Sequence, residues 1–260
     1  MGLLCDFEPR RTRLSAGFVI AVAALALGAC STTPPDERSD ERDRYESANR
    51  KVFEFNMGLD SYVLEPVASG YRDTVPDGGR RAVSNHLEWA SLTSTAVNST
   101  LQGKFENAAM ATLNFLVNGL TLGFADLTED GKEVTKEDFG QTLAAYDVPE
   151  GSYIMVPILG PRTTRSLTGT AVDFVMNPLS VFGTGGTVET INAAQAPVGA
   201  VSFRAQNFEA VNDVKYNAID PYARTRSVYY QTRTGLLEDR VAENTGSAVS
   251  EDEFESLFEE

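Results

Sequence analysis

The residue with the clearest chemical prospect is Cys30, which directly follows Leu27-Gly28-Ala29. Upstream, Arg10, Arg11 and Arg13 form a short basic region, and Leu14 to Leu27 carry no charge. A basic start, an apolar stretch and small residues before a cleavage point make a secretory signal. A cysteine directly after the cut is the lipoprotein variant, in which the thiol is acylated and the cysteine becomes the new N-terminus. The apolar run is shorter than the roughly 20 residues that a spanning helix needs. Ser31, rather than an aspartate, follows the cysteine, which favours the outer membrane over the inner one. Met1 to Pro9 read as an unneeded extension ahead of the signal.

Other candidates for chemistry carry less. His86 is the only histidine, so a His-dependent triad or a zinc site has to use it, and its sequence context supplies no partners. Gly183-Thr184-Gly185-Gly186 lacks the Lys and Ser/Thr that complete a phosphate loop, so it reads as a turn. Asp and Glu are too numerous to single out a pair, which leaves a carboxylate glycosidase acting on cell wall open on composition alone. No metal or cofactor motif is present. Cys5 lies in the removed segment and Cys30 takes lipid, so the mature chain has neither a free thiol nor a disulfide. In an oxidising compartment it must be held together by an ordinary core.

Charge narrows the partners. Removing residues 1–29 takes three arginines and two acids, leaving 19 basic and 35 acidic residues and a net charge of −16. Such a surface repels phosphate backbones, so nucleic acid is not expected as a partner. Nor does it support polybasic attachment to anionic lipid. The acyl chains on Cys30 have to be the anchor, each buried methylene contributing about 0.8 kcal/mol.

The elements that position these groups read as mainly helical. Residues 30–44 form a lipidated, solvated tether, rich first in Ser, Thr and Pro and then in mixed charge. Tyr45, Ala48, Val52, Phe55, Leu59 and Tyr62 then recur at spacings of three and four, one face of a helix that Glu65-Pro66 should end. That face suits either a core or a lipid interface. Tyr71 to Gly79 reads as a loop. Helices are expected over Arg80 to Trp89 and Lys104 to Asn118, the second apolar almost all round and hence buried or facing lipid. Phe139 to Pro161 is punctuated by Gly and Pro and holds Tyr153-Ile154-Met155-Val156, the mark of a shaped loop, hairpin or strand-like crossing. Further helices are expected over Arg165 to Met176, Ala205 to Val214 and Tyr222 to Leu237. Residues 238–260 form an acidic, disordered tail. The body, residues 45–237, is a single domain.

Several blocks together resemble the VacJ/MlaA family of outer-membrane lipoproteins. They are Asn49-Arg50-Lys51-Val52-Phe53-Glu54-Phe55-Asn56 with Leu64-Glu65-Pro66-Val67-Ala68, then Leu101-Gln102-Gly103-Lys104-Phe105, then Asp138-Phe139-Gly140-Gln141-Thr142-Leu143. Val148-Pro149, Gly151-Ser152-Tyr153, Leu159-Gly160-Pro161 with Arg165, and Asp220-Pro221-Tyr222-Ala223 follow in the family's order. The chain departs from the family at Arg44, Ala48, His86-Leu87 and Tyr146-Asp147. The resemblance implies a single helical ring-like domain with Gly/Pro-rich loops, seated in the inner leaflet of the outer membrane. It implies a non-enzymatic channel that removes phospholipids from the outer leaflet and passes them to a periplasmic lipid-carrier protein, in company with a trimeric porin. Asn49, Arg50, Phe53, Phe55, Asn56, Asp220, Pro221 and Tyr222 are the motif positions.

The lipid path is expected to border the Phe139–Pro161 loop, at Gly140, Gly151, Pro157 and Gly160. Arg165 and Asp173, eight apart on the following helix and so near one face, are the expected headgroup contacts. The residues themselves leave two other classes open: a cell-wall or lipid hydrolase, and a structural lipoprotein that only scaffolds a partner.

Overall fold

The computed structural model of the 260-residue chain describes residues 32–89, 91–121, 134–176 and 186–246. Cys30, the Gly183–Gly185 part of the glycine-rich turn, and the acidic segment after Gly246 lie outside the described residues.

Order begins earlier than the sequence suggests. The stretch read as tether is packed from Thr33, with Asp43 fully buried and the Arg42 carbonyl accepting from the Tyr153 N–H at 3.1 Å. Helix α1, Glu46–Leu59, then forms where expected but is rotated from the expected stripe: it buries Glu46, Asn49, Val52 and Phe53, while Phe55 and Tyr62 of that stripe are exposed. Glu65-Pro66 does not end it. The chain passes through a π-helical turn, Asp60–Leu64, straight into α2, Glu65–Thr74. Proline removes a backbone donor and its ring collides with the carbonyl four residues back; the wider π turn, in which the Glu65 N–H reaches the Asp60 carbonyl, absorbs both. The expected Tyr71–Gly79 loop contracts to Val75-Pro76, because α3, Asp77–Trp89, starts at once.

Helix α4, Leu92–Leu101, has a Ser/Thr content that does not announce a helix. It ends in a left-handed Gly103 at φ 80°, with the Lys104 N–H returning to the Ser99 carbonyl at 2.8 Å. This glycine cap explains the Leu-Gln-Gly-Lys-Phe block. Helix α5, Phe105–Thr121, runs back against α4. The Phe139–Pro161 stretch is only partly a loop. Phe139–Ala145 forms α6, capped by the Asp138 side chain accepting from the Gln141 N–H. Tyr153–Val156 (β1) and Gly160–Thr163 (β2) then make the antiparallel hairpin, with Tyr153 opposite Thr163 and Val156 opposite Gly160.

Helices α7 (Thr164–Met176), α8 (Gly186–Gln206), α9 (Phe208–Asn217) and α10 (Pro221–Gly246) complete the chain; α10 runs past the expected end at Leu237. Packing follows a closed circuit: α2 on α8, α8 on α3, α3 on α4 and α5, α4 on α6, α6 on α7, α7 on β2, β2 on α10. Phe53 of α1, edge-on to Tyr222 of α10 at 5.6 Å, closes it. The ring-like arrangement expected from the family resemblance is thus visible in the contacts. Among the described residues no helix is long and apolar enough to cross a membrane.

Candidate functional site

Most of the motif residues converge on one hub, where the segment before α1, strand β1 and the start of α10 meet. Asn49, on the buried face of α1, donates to Asp43 at 2.8 Å and to the Tyr153 carbonyl at 3.2 Å, and accepts from the Met155 N–H at 2.9 Å. One side chain thereby satisfies a carbonyl and an N–H on the edge of β1 that β2 leaves unpaired. Asp43 also takes the Tyr222 hydroxyl and the Arg226 guanidinium, the latter at 2.7 Å. Burial first, then that bond to Asp43, push the Tyr222 hydroxyl far above its ordinary pKa. Arg50 forks onto Asp220 at 2.8 and 3.2 Å, which holds the Asp220 carboxyl below the usual range. Asp220 also caps α10 through the Ala223 N–H, and Pro221 takes the first helical position, where its missing donor costs nothing. Asn56 pins the hairpin turn by donating to Val156 and accepting from the Ile158 N–H. Phe53 and Tyr222 are core; Phe55 faces outward.

The residues expected along the lipid path hold the hairpin and α7 in place. Gly140 of α6 packs backbone to backbone on Gly169 of α7, so closely that a Cβ on Gly169 meets the Gly140 nitrogen at 2.3 Å. Gly151 adopts φ 77° beneath Thr164. Pro157 and Gly160 bracket the turn, whose Ile158 and Leu159 are exposed, Ile158 at a φ of 68° that branched residues resist. The structure does not bring Arg165 and Asp173 together. Arg165 donates to the Val148 carbonyl, whereas Asp173 accepts from Ser94, Asn98 and the Phe139 N–H, tying α4, α6 and α7.

Two buried ionic groups had no local signal in the sequence. Lys104 and Glu137 pair at 2.7 Å with almost no exposure, joining the start of α5 to the entry of α6. At the π turn, Asp60 accepts from Arg204 at 2.7 Å and from Lys215 at 2.8 Å, and Glu65 adds a second bond to Lys215. Burial alone would raise the Asp60 pKa, but Arg204 and Lys215 override it and the carboxyl is lowered. The partners lie 144 and 155 residues from Asp60.

The distribution of polarity is the feature that bears most on function. Ser94, Thr95, Asn98 and Ser99 of α4, Asn114 of α5, Gln141 and Thr142 of α6 and Ser166 of α7 are buried. Large apolar side chains point outward: Tyr62, Val63 and Val67 at the α1–α2 junction, Phe105, Leu113 and Leu116 on α5, Phe174 and Val175 on α7, Phe203 on α8. Helix α5 shows the inversion within one element, burying Ala108, Ala111 and Asn114 beneath that exposed phenylalanine and those leucines. Water-facing helices are arranged the other way. Exposed large apolar side chains in this number, on several helices at once, fit a membrane or partner interface.

His86 is exposed on α3, its ring 6.1 Å from that of Trp89. Among the described residues no group of three or more His, Cys, Asp or Glu is placed to hold a metal ion.

A helical body with polar side chains inward and apolar ones outward belongs to the class of membrane-associated helical proteins. More particularly, the chain belongs to the MlaA lipoprotein family, whose sequence profile matches residues 41–235. It is 33% identical over 230 residues to the intermembrane phospholipid transport system lipoprotein MlaA of Haemophilus influenzae, covering 84% of this chain and 88% of that one. The MlaA of Escherichia coli K12 is 26% identical over 256 residues, 93% and 99% of the two chains. A solved chain from work on the structural basis for maintenance of bacterial outer membrane lipid asymmetry superposes with a TM-score of 0.63 at 30% identity, over 75% of this chain and 98% of that one.

Proposed function

We propose that this chain is an outer-membrane lipoprotein that takes mislocalised phospholipids from the outer leaflet and passes them to a periplasmic carrier, maintaining lipid asymmetry without bond chemistry. The observation that carries the reading is the inverted polarity of the helical body. A charged headgroup at the bilayer centre costs at least about 2.5–3.5 kcal/mol. A protein with an apolar exterior and a polar interior lowers that cost by offering the headgroup hydrogen-bonding partners within the hydrocarbon. Irregular backbone is tolerated at such depth where protein or a water-filled cavity surrounds it, which supports a route bordered by the hairpin turn from Pro157 to Gly160.

In this reading Cys30 carries the acyl chains, Ser31 directs the protein to the outer membrane, and a trimeric porin is the neighbour there. The relatives' membership of an intermembrane phospholipid transport system supports a downstream carrier. The test is a deletion strain of the source bacterium, scored for phospholipid in the outer leaflet. Deletion should raise it, the parent chain should restore it, and His86→Ala should restore it equally. Cys30→Ala should leave an uncleaved or soluble form that fails to fractionate with outer membrane. Unchanged outer-leaflet phospholipid on deletion overturns the reading in favour of a scaffold, and turnover that dies with His86 overturns it in favour of a hydrolase.

A further inference from the structure

Helices α2, α3 and α8 enclose a cleft of about 560 Å³. Arg72, Arg80 and Arg81 converge on it, with Ser84 and Gln206 also in its wall and Asp77 as the single carboxylate of that lining. In a chain of formal net charge −15 this is a local reversal of sign. Two of the three guanidinium groups are oriented by the protein. Arg72 pairs with Glu209 at 3.2 Å and lies over the Phe208 ring at 4.4 Å. Arg80 pairs with Asp77 and donates to the Arg72 carbonyl at 3.1 Å. Arg81 is exposed, and its guanidinium has no hydrogen bond or ion pair among the described residues. The Ser84 hydroxyl and the Gln206 amide are joined to each other at 2.6 Å.

A second pocket, of about 240 Å³, adjoins this cleft and is lined by Tyr71, Pro197, Val198 and Val201. Tyr71 belongs to both walls. Its hydroxyl is enclosed and has no hydrogen-bond partner among the described residues. Pro197 interrupts the hydrogen-bond ladder of α8 beside the pocket. A guanidinium-lined opening thus meets an apolar recess across one side chain. An occupant complementary to both carries an anionic group a short distance from hydrocarbon.

We propose that cleft and recess form one lipid subsite, in which the phosphodiester of an anionic glycerophospholipid lies against Arg81, Arg80 and Arg72 while the first methylenes of one acyl chain enter between Tyr71, Val198 and Val201. The proposal rests on the phospholipid-transport reading and gives it a location in the ring. Arginine presents a planar fork that matches phosphate oxygens two at a time, and the low-dielectric recess strengthens the attraction. Free phosphate has the same charge chemistry but makes no use of the recess, so the two sources separate by experiment.

The test uses the full lipidated protein in detergent micelles, with fluorescent phosphatidylglycerol as probe and inorganic phosphate as competitor. Arg81→Gln removes the guanidinium that has no described partner, and Val198→Trp fills the recess at a half-exposed position. Both should melt as the parent does. Arg81→Gln should weaken phosphatidylglycerol binding about tenfold, the typical worth of one charge-assisted contact, Val198→Trp should weaken it comparably by denying the acyl methylenes their recess, and inorganic phosphate should not displace the lipid. Parental affinity in both variants overturns the subsite. If those variants also clear outer-leaflet phospholipid in the deletion strain, the transport reading stands and only its location falls. If Arg81→Gln weakens phosphate binding while Val198→Trp changes nothing, the cleft is a free-anion site and the lipid proposal is overturned. A parent chain that binds no phosphatidylglycerol and does not lower outer-leaflet lipid overturns both readings.

Discussion

Replacing Phe105, Leu113 and Leu116 of α5 by serine should detach the unlipidated body from membranes without unfolding it. Phe105 is 70% exposed, Leu113 49% and Leu116 55%. Burying a whole side chain of this kind contributes about 1.5–3 kcal/mol. Scaled to the exposed fractions, the three together contribute roughly 3–5 kcal/mol to insertion if all three face hydrocarbon. Each 1.4 kcal/mol is tenfold, so the partition coefficient should fall by about two to three and a half orders of magnitude. The assay is flotation of the body beginning at Ser31 with phospholipid vesicles, parent against triple variant, with helical circular dichroism on heating as the folding control. The parent should float and the variant should stay below the vesicles, both melting within a few degrees of each other. Equal flotation of folded parent and variant would show that this face of α5 meets water or protein. A parent that remains monomeric without detergent and never floats would remove the physical basis for a ring held in lipid.

Other perturbations test the frame that holds that face. Lys104→Met strands the buried Glu137 carboxylate and should cost about 3–5 kcal/mol in detergent-solution unfolding, whereas Lys104→Met with Glu137→Leu should recover most of it. The Gln102 amide keeps Thr142 at 3.1 Å as a partner in that double variant; a double as unstable as the single refutes the assignment. Gly169→Ala should be among the most damaging single-methyl additions, because its Cβ falls 2.3 Å from the Gly140 backbone nitrogen; melting at the parent temperature would contradict the α6–α7 contact. Since the folded Asp60 pKa is depressed, its stabilisation should be present above about pH 4, the unfolded value, and be lost as pH falls through the folded one. Asp60→Asn should therefore flatten the acid limb of a melting-temperature profile. Lys215 is raised, so its share should persist until alkaline pH passes its own folded value.

Local signals carried a good deal in this chain. The existence of α1, the hairpin marked by Tyr153 to Val156 and its flanking Gly and Pro, and the Asp220-Pro221 start of α10 each depend on residues a few positions apart, and such short-range chemistry is written contiguously. Family identity was legible for the same reason, as an ordered set of short blocks. The tertiary structure decided the rest. Pro66 reads as a stop until the π turn shows how Arg204 and Lys215, far along the chain, hold Asp60 and keep the helix going. Helix α4 forms against its Ser/Thr content because Asn98 and Ser94 find Asp173 and Thr142 across the fold. Periodicity could mark α1 and α5 as helices with apolar side chains but not which face is buried, since a lipid-facing stripe and a core-facing stripe have the same spacing. Only packing reveals that α5 turns Ala108 and Ala111 inward and Phe105, Leu113 and Leu116 outward. The convergence of Arg72, Arg80 and Arg81 with a recess on α8 is likewise absent from any window of sequence, because it exists only where α2, α3 and α8 are brought side by side.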